Sequence, residues 1–253
     1  MPCECVVSPC IEGFDCCTFF KNSHETIFTY TFDCLLFPYF CAQNYRKLNS
    51  KKIYIVRHGQ TDFNLKNIVQ GSGVDSSLNE RGIAQAKAFF EHYKHVKFDK
   101  IYTSTLKRTT ETVKSFLDLG IPSESFAGLN EISWGNKEGF KITPEEDQYY
   151  HYMLKQWQLG NTSLKIEEGE SPDDVVRRMK PVVEYIMSRT EEKTVLICMH
   201  GRAIRILLCI LLDYPLKSMD MFEHENLCLY LLDYTDGKFT IELHNDVSHL
   251  RFI

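Results

Sequence analysis

Two short stretches of the sequence are almost entirely apolar, as in strands that are buried on both faces. They are residues 52–56 (KIYIV) and residues 194–199 (TVLICM). Such strands are typical of parallel sheets that helices cover on both sides. Residues 99–104 (DKIYTS) also have a strand-like pattern. Near the end of the chain, residues 227–233 and 238–243 flank a Thr-Asp-Gly turn and are expected to form two further strands.

Apolar residues at helical spacing separate these strands. Residues 79–95 are expected to form an amphipathic helix. The residues on its core-facing stripe are Ile83, Ala86, Phe90 and Tyr93. Further helices are predicted over residues 106–119, where Gly120 ends the pattern, and over residues 203–212, which are apolar almost all round.

Another helix is expected to begin at Ser171, because Ser171 and Asp174 have the spacing of a capping box. Pro181 is expected to kink this helix. The residues on its core face are Val175, Met179, Val182 and Ile186. Strands that alternate with helices in this way predict an α/β fold. The expected architecture is a three-layer sandwich, with a mostly parallel central sheet and helices on both faces.

The composition is that of an ordinary globular protein. The chain has 253 residues, of which 43% are hydrophobic and 25% charged, enough for one large domain or a domain with an appendage. The formal net charge of -5 and the pI near 6.0 argue against a protein built to coat nucleic acid or an acidic membrane. A small cationic pocket for an anionic substrate stays compatible with these values.

The first fifty residues differ in composition from the rest. Seven of the ten cysteines lie within residues 1–41, and no helical or strand period persists there. We therefore expect residues 1–50 to be a Cys-rich N-terminal extension, poorly ordered or of unknown role, and residues 51–253 to be the main folded domain. The other three cysteines lie in apolar runs and are expected to be buried thiols. They are Cys198, Cys209 and Cys228.

A cytoplasmic location is expected. Nothing near the start resembles a signal peptide, because the first basic residue is Lys21 and no early apolar stretch follows a basic one. Residues 27–42 are rich in aromatic side chains but too short to span a bilayer. Lipidation of the Cys3-Glu4-Cys5 or Cys16-Cys17 cluster stays open, and membrane association is expected only in that case. Metal binding by this region also stays open, although no zinc-type spacing occurs.

The two most apolar strands are each followed by a histidine and a glycine. Residues 52–56 lead into Arg57-His58-Gly59, and residues 194–199 lead into His200-Gly201. Ligands of parallel α/β sheets bind beyond the carboxyl ends of the strands. Each glycine lets the backbone turn and approach a ligand closely. The two imidazoles are therefore expected to share one crevice.

Such a crevice suits an anion better than a metal ion. His58, His200, Glu131 and Cys198 are all of metal-ligating types. However, Arg57 beside the first histidine repels a cation, and strand alternation is expected to point Cys198 away from the face of His200 or into the core. Arginines and imidazoles together can stabilise the charge that develops on a phosphoryl group, without Mg²⁺.

From Ile53 onward the sequence resembles the histidine phosphatase superfamily, the phosphoglycerate mutase-like group. The motifs that carry the resemblance, in chain order, are Arg57-His58-Gly59-Gln60-Thr61, Asn64, Gln70-Gly71, Leu78-Asn79-Glu80-Arg81-Gly82, Tyr102-Thr103-Ser104-Thr105-Leu106-Lys107-Arg108, Leu129-Asn130-Glu131, Gly135-Asn136-Lys137-Glu138-Gly139, Gly169-Glu170-Ser171 and His200-Gly201. They follow one another in the family's order over about 200 residues, so together they are highly specific.

The resemblance implies a role for each matched residue. His58 attacks phosphorus and becomes phosphohistidine, so its reacting nitrogen must be unprotonated. Arg57, Arg108 and His200 are expected to bind the phosphoryl oxygens. Glu131 is expected to protonate the leaving oxygen and then to activate water. The residues expected to bind substrate are Asn64, Thr61, Gln70, Gly71 and Gly201. No metal ion and no cofactor are expected.

The spacing of the motifs favours the phosphatase branch. The mutase branch typically carries a long insertion, with paired arginines, between its acid and its second histidine. Here Glu131 and His200 are only 69 positions apart, and Arg177-Arg178 lies in a predicted helix. The prediction is a metal-independent phosphoric monoester hydrolase of the histidine acid-phosphatase type, acting on a small phosphorylated metabolite. A phosphoglycerate-type mutase and a protein that only binds phosphorylated ligands are the alternatives.

Several points stay open on the sequence alone. Nucleic acid is not expected as a partner; the oligomeric state is not defined, and a dimer is compatible with the sequence. Glu138 is a second carboxyl that competes with Glu131 for the acid role. Arg202 and Arg205 either flank their helix or face the pocket mouth. Residues 149–157 are aromatic enough to cover the pocket, or else they pack in the core. Ser104 and Trp134 are open in the same way between substrate contact and packing.

Overall fold

The computed structural model describes residues 6–7, 17–18 and 50–253. The chain forms two compact units, Met1–Lys47 and Leu48–Ile253. In the first unit, strand β1 (Val6–Val7) pairs antiparallel with strand β2 (Cys17–Thr18). Whether the N-terminal cysteine clusters carry lipid or bind a metal stays open, because their residues, apart from the backbone of Cys17, lie outside the described residues. None of the described helices is long and apolar enough to cross a bilayer.

The second unit is built on one six-stranded sheet. Its strands are β3 (Ser50–Arg57), β4 (Lys100–Thr103), β5 (Ser123–Ser125), β6 (Thr194–Met199), β7 (Leu229–Thr235) and β8 (Lys238–Asp246). They lie in the order β5-β4-β6-β3-β7-β8. The first four of that order are parallel, and β7 and β8 continue the sheet antiparallel. The predicted α/β fold with a mostly parallel sheet is confirmed.

Helices cover both faces of this sheet. The helices are α1 (Asp62–Leu65), α2 (Glu80–Tyr93), α3 (Lys107–Leu117), α4 (Pro144–Gln158), α5 (Pro172–Ser188) and α6 (Gly201–Leu212). Alternate residues of β3 point to opposite faces. Ile53 and Ile55 belong to a core cluster with residues of α4, α5 and α6. Tyr54 and Val56 belong to a second cluster, with residues of α2 and α3.

Local sequence signals account for two of these elements. Ser171 Oγ accepts a hydrogen bond from Asp174 N at 3.2 Å, and the Asp174 carboxylate accepts one from Ser171 N at 3.1 Å, so the capping box opens α5 as predicted. The predicted core face of α5 is buried. The β7–β8 turn has positive φ at Asp236 (47°) and Gly237 (89°), as in a type I′ hairpin turn.

The predicted core stripe of α2 was partly wrong. Ile83 is 59% exposed, and Phe90 is only partly buried. The helix is rotated so that its buried stripe includes Gln85 and Phe89. The reason is a tertiary contact: Gln85 Oε1 accepts a hydrogen bond from Gln60 N at 2.9 Å, which fixes the side of the helix that faces the sheet. Pro181 lies inside α5, which continues to Ser188.

Candidate active site

The sheet brings the two distant histidines together. β3 and β6 are parallel neighbours with Arg57 opposite Met199, so the residues that follow each strand leave the sheet at the same edge. The ring centroids of His58 and His200 are 5.2 Å apart, and both side chains are buried. Cys198 belongs to the core cluster on the α2–α3 face of the sheet. Burial raises the pKa of the Cys198 thiol.

One hydrogen bond defines the protonation of His58. Its Nδ1 lies 2.7 Å from the carbonyl oxygen of Gly59. Because a carbonyl only accepts, Nδ1 carries the proton and donates it. Burial, then the charges of Arg108 and Arg57, hold the pKa of His58 well below its ordinary value. The ring is therefore neutral at neutral pH, and Nε2 has a free lone pair.

His200 has the opposite tautomer. Arg108 Nε donates to His200 Nδ1 at 3.2 Å, and a guanidinium can only donate, so Nδ1 is unprotonated. The proton is on Nε2, which lies 2.7 Å from Ser104 Oγ. Ser104 Oγ also accepts from Leu106 N at 3.2 Å and lies 3.1 Å from Thr109 Oγ1. Burial and the charge of Arg108 lower the pKa of His200 far below its ordinary value.

Arg108 is a completely buried cation held by backbone oxygens. Besides its bond to His200, it donates to the carbonyls of Val74 at 2.7 Å and Gly71 at 3.1 Å. These three bonds use three of the five N–H groups of the guanidinium, which leaves two for a ligand. Burial lowers the pKa of Arg108 to about 10, so the side chain stays charged at neutral pH.

Arg57 is held by a residue that lies far away in the sequence. Its Nη1 donates to His224 Nδ1 at 3.2 Å. Burial, with the charge of Arg57 as the next cause, lowers the pKa of His224 to about 2, so this imidazole stays neutral. The Nε of Arg57 is buried and has no hydrogen-bond partner within the described residues. This donor can bind an oxyanion.

The Glu131 carboxyl lies at the beginning of α6. Its Oε1 accepts from the backbone N–H groups of Ile132 and Ala203, both at 2.9 Å, and its Oε2 accepts from Arg202 N at 3.0 Å. The charge of Glu131 raises the pKa of Arg57 and of Arg108, against the larger effect of burial. The carboxyl is therefore part of the same electrostatic environment as the two guanidinium groups.

The carboxyl of Glu138, the other candidate for the acid role, links two loops through hydrogen bonds. Its oxygens accept from the backbone N–H groups of Gly73 and Trp134, both at 2.8 Å. Ser133 Oγ lies 3.3 Å from the same carboxylate.

The residues predicted to bind substrate mostly support the loop around α1. Thr61 and Asn64 cap α1 reciprocally, with bonds of 3.2 Å and 3.1 Å. Gln70 Oε1 lies 3.2 Å from Thr61 Oγ1. The carbonyl of Gly71 holds Arg108, as described above. In addition, Asn226 Nδ2 donates to the carbonyl of His58 at 3.1 Å.

The glycines after the two histidines allow close approach of protein rather than of a ligand. A Cβ on Gly201 would lie 3.0 Å from His224 Nε2, and one on Gly59 would lie 2.8 Å from the carbonyl oxygen of Gly82. Both contacts are tighter than ordinary packing. The turn at Gly201 therefore lets the His224 ring pack against the start of α6 while it accepts from Arg57.

The two arginines in the first turns of α6 are paired with a carboxylate, so neither presents an unpaired charge to the site. Arg202 and Arg205 both pair with Asp220, Arg205 at 2.6 Å. Arg202 also donates to Tyr150 Oη at 3.2 Å. Trp157 is fully buried and donates to the carbonyl of Leu164 at 2.9 Å. The segment of residues 149–157 is therefore buried in the core at its Trp157 end.

For several residues that support the site, no sequence pattern indicated the role. His224 and Asn226 lie in a loop without a local pattern. Arg178, on α5, contacts the loop that carries Glu131, although its sequence context indicated only a helix. Glu170 does fall in the matched Gly169-Glu170-Ser171 motif, which was the one available signal.

Two neutral histidines and two arginines lie at the edge of a mostly parallel α/β sheet, and the free N–H groups of the arginines could bind a phosphoryl-type oxyanion. The chain belongs to the histidine phosphatase superfamily (branch 1), whose family model matches residues 53–247. The resemblance stated from the motifs is thereby confirmed.

Known proteins agree with this assignment. The chain is 30% identical over 208 residues to "Probable phosphoglycerate mutase GpmB" of Yersinia pestis (strain Pestoides F), covering 79% of this chain and 94% of the relative. It is similar to the structure of Bacillus stearothermophilus YhfR, with TM-score 0.69 and 29% identity over 79% of this chain and 100% of that one. A mycobacterial glucosyl-3-phosphoglycerate phosphatase gives TM-score 0.68 and 25% identity, covering 78% and 99%. Phosphatases are thus among the structural neighbours.

Proposed function

We propose that the chain is a phosphomonoesterase that transfers a phosphoryl group from a small phosphorylated metabolite to His58 and then to water. The observation on which the proposal rests is the protonation state of His58. Its ring is buried and neutral, and the Nδ1 hydrogen bond to Gly59 leaves the lone pair on Nε2. An unprotonated nucleophile among cationic donors is the arrangement that phosphoryl transfer to histidine requires.

In the first half-reaction, His58 Nε2 forms a bond to phosphorus and the bond to the leaving oxygen breaks. Arg57 and Arg108 would bind the phosphoryl oxygens through their remaining N–H groups. Both ring nitrogens of His200 are already hydrogen-bonded, to Arg108 and Ser104, so His200 would contribute by holding Arg108 in place. Glu131 would give its proton to the leaving oxygen. Its Oε2 accepts one backbone hydrogen bond and Oε1 accepts two, so Oε2 has the lone pair that can carry this proton.

In the second half-reaction, the Glu131 carboxylate would take a proton from water. The water oxygen forms a bond to phosphorus while the bond to His58 Nε2 breaks. Inorganic phosphate leaves, and Glu131 is protonated again for the next cycle. One carboxyl is enough for both steps, because the second step uses the proton transfer of the first in reverse.

We propose that neither step uses a metal ion or a cofactor. The two guanidinium groups can supply the charge that a divalent cation supplies in other phosphoryl-transfer enzymes. Within the described part of the chain, no three His, Cys, Asp or Glu side chains are grouped so as to hold a metal ion. Full activity after incubation with a chelator is the expected result, and complete loss of activity would overturn this part of the proposal.

A mutase is the second candidate, because one relative is named as a phosphoglycerate mutase. The contacts of the interval between Glu131 and His200 favour the hydrolase. Its three arginines are all engaged: Arg177 pairs with Asp174, Arg178 with Glu170, and Arg189 with Glu191. A free arginine pair that could hold a phosphoglycerate carboxylate is therefore missing from this described interval. A requirement for a bisphosphate primer would instead favour the mutase.

The decisive experiment is to trap the phosphoenzyme. Rapid acid-free quenching with a ³²P-labelled phosphomonoester should label the wild type but not His58→Ala. His95→Ala, which removes an exposed histidine, is the matched control and should label normally. Equal labelling of His58→Ala would overturn the assignment of the nucleophile. Binding of the phosphomonoester without labelling or turnover would instead favour a protein that only binds phosphorylated ligands.

The remaining proposals concern location and partners. The net charge of -5 supports a protein without a nucleic-acid partner. We propose a cytoplasmic location, with membrane association only if the N-terminal cysteines carry lipid. Cell fractionation before and after thioester cleavage tests this, since only a lipid-anchored protein would move from the membrane to the supernatant.

A further inference from the structure

Arg178 makes an unusually complete set of contacts for a partly exposed helix residue. Its Nη1 donates to the carbonyls of Gly128 at 2.9 Å and Asn130 at 3.0 Å, with a longer contact to Ala127 at 3.4 Å. Its Nη2 donates to the carbonyl of Glu131 at 2.9 Å. Four carbonyls within residues 127–131 therefore converge on a single guanidinium.

The guanidinium is itself held by a carboxylate. Arg178 Nε and Nη2 donate to the two oxygens of Glu170 at 2.8 Å and 2.9 Å, a bidentate pair. Glu170 Oε2 also accepts from the backbone N–H of Ser133 at 2.9 Å. Arg178 and Glu170 together thus hold the backbone on both sides of Glu131. We call this pair the loop clamp.

The neighbouring arginine shows that such contacts are not a general property of α5. Arg177 is 75% exposed at its side chain, and among the described residues it pairs only with Asp174, three residues earlier in the same helix. The side chain of Arg178 is only 23% exposed. The chain therefore offers two adjacent arginines, of which one holds the Glu131 loop and the other does not.

The clamp acts on the residue whose position matters most for proton transfer. The Glu131 carboxyl is held at one end by the N–H groups of α6, and its own backbone carbonyl is held at the other end by Arg178. Proton transfer to a leaving group depends on placement to a fraction of an ångström. A loop that moves would still carry the carboxyl but would deliver its proton poorly.

We propose that Arg178, with Glu170 as its partner, is a positioning residue for the acid–base step, because it fixes the loop that carries Glu131. The inference rests on the proposed function. Within the described residues, Arg178 is not hydrogen-bonded to Arg57 or Arg108, so phosphoryl binding by these two guanidinium groups should not depend on it. Its loss should affect only the step in which Glu131 gives its proton.

The test compares substrates that need the proton with one that does not. p-Nitrophenolate leaves without protonation, whereas an alkoxide needs a proton from the acid. The value of kcat/KM reports the steps up to departure of the leaving group. Arg178→Met should lower kcat/KM for an alkyl phosphate such as glycerol 3-phosphate at least tenfold more than for p-nitrophenyl phosphate. Glu131→Gln should show the same difference between the two substrates. The size of that difference is the reference for complete loss of the acid.

Two further variants keep the proposal falsifiable. Glu170→Gln keeps the size of the side chain but weakens the pair, and it should show the same split if Arg178→Met does not fold. Arg177→Ala is the matched control and should leave both values of kcat/KM unchanged. An equal fall for the two substrates in Arg178→Met and Glu170→Gln, or no fall in either variant, would overturn the clamp.

Failure of the clamp and failure of the proposed function give different results. Without the proposed function, the wild type neither hydrolyses p-nitrophenyl phosphate nor forms a phosphoenzyme. If only the clamp is wrong, the wild type does both, Glu131→Gln shows the leaving-group split, and Arg178→Met does not.

Discussion

Arg108 Nε donates a hydrogen bond to His200 Nδ1 across 3.2 Å, and this contact defines the protonation of the second histidine. Because the guanidinium cannot accept, His200 has its proton on Nε2, where Ser104 Oγ lies 2.7 Å away. His58 has the reverse tautomer, with the proton on Nδ1. The site therefore holds two neutral imidazoles whose proton positions are set by different partners.

Ser104→Ala should lower kcat/KM by roughly tenfold. It removes the acceptor of the His200 Nε2 proton, and an unsatisfied buried donor costs about 1–3 kcal/mol. The tautomer preference of His200 should weaken, which ¹⁵N NMR of the imidazole can detect. Ser77→Ala, at an exposed serine, is the control. An unchanged kcat/KM together with an unchanged ¹⁵N pattern would contradict this role of Ser104.

Arg108→Lys should lower kcat/KM by about 10²-fold or more, the size of effect seen when a preorganised donor is removed from an active site. A lysine keeps the charge but cannot bond to Gly71, Val74 and His200 in the same planar geometry. Steady-state kinetics with p-nitrophenyl phosphate measures the effect. The neighbouring exposed Lys107→Arg should behave as the wild type, and a similar activity for Arg108→Lys would show that charge alone is enough.

Gly201→Ala should reduce activity through His224. The new methyl group would lie 3.0 Å from His224 Nε2, so the ring must move away from Arg57. In a His224→Ala background the methyl group has room, and the same substitution should have little further effect. A double-mutant cycle on kcat/KM should give a coupling of about 0.5–3 kcal/mol, as for residues in contact. Additive effects would mean that the two residues act independently.

Stability should fall as the pH is lowered below about 6.5. Burial, with nearby arginines, lowers the pKa of His58, His200 and His224 in the folded protein. As the pH falls, these histidines therefore take up protons in the unfolded chain before they do so in the folded protein, at the ordinary histidine pKa near 6.5. The stabilising contribution is complete above that pH and is lost below it, by about 1.4 kcal/mol per pH unit for each histidine. For His224 this loss continues down to its folded pKa of about 2.

Urea unfolding at pH 7.5 and pH 5.5 measures this dependence. The wild type should be less stable at the lower pH, and His224→Asn should have a smaller difference between the two. Equal free energies of unfolding for the wild type at both pH values would show that these histidines are not neutral in the folded state.

Local sequence patterns were enough to predict the sheet and the two histidines at its edge. Apolar runs predicted β3 and β6, since a strand covered on both faces must be apolar on both sides. The rule that parallel α/β sheets bind ligands at their carboxyl edge then placed His58 beside His200. The capping box at Ser171 and the β7–β8 turn were equally predictable, because their hydrogen bonds and φ angles depend on residues within four positions of one another.

The contacts between distant segments could not be predicted in this way. The rotation of α2 depends on a bond between Gln60 and Gln85, so the apolar stripe alone gave Ile83 the wrong environment. The partner of Arg57 is His224, 167 positions away, and no local pattern indicates it. Arg177 and Arg178 look alike in the sequence, but only Arg178 faces the Glu131 loop. Periodicity and motifs describe short-range order, whereas these roles depend on which side chains the packed sheet and helices bring within hydrogen-bond distance.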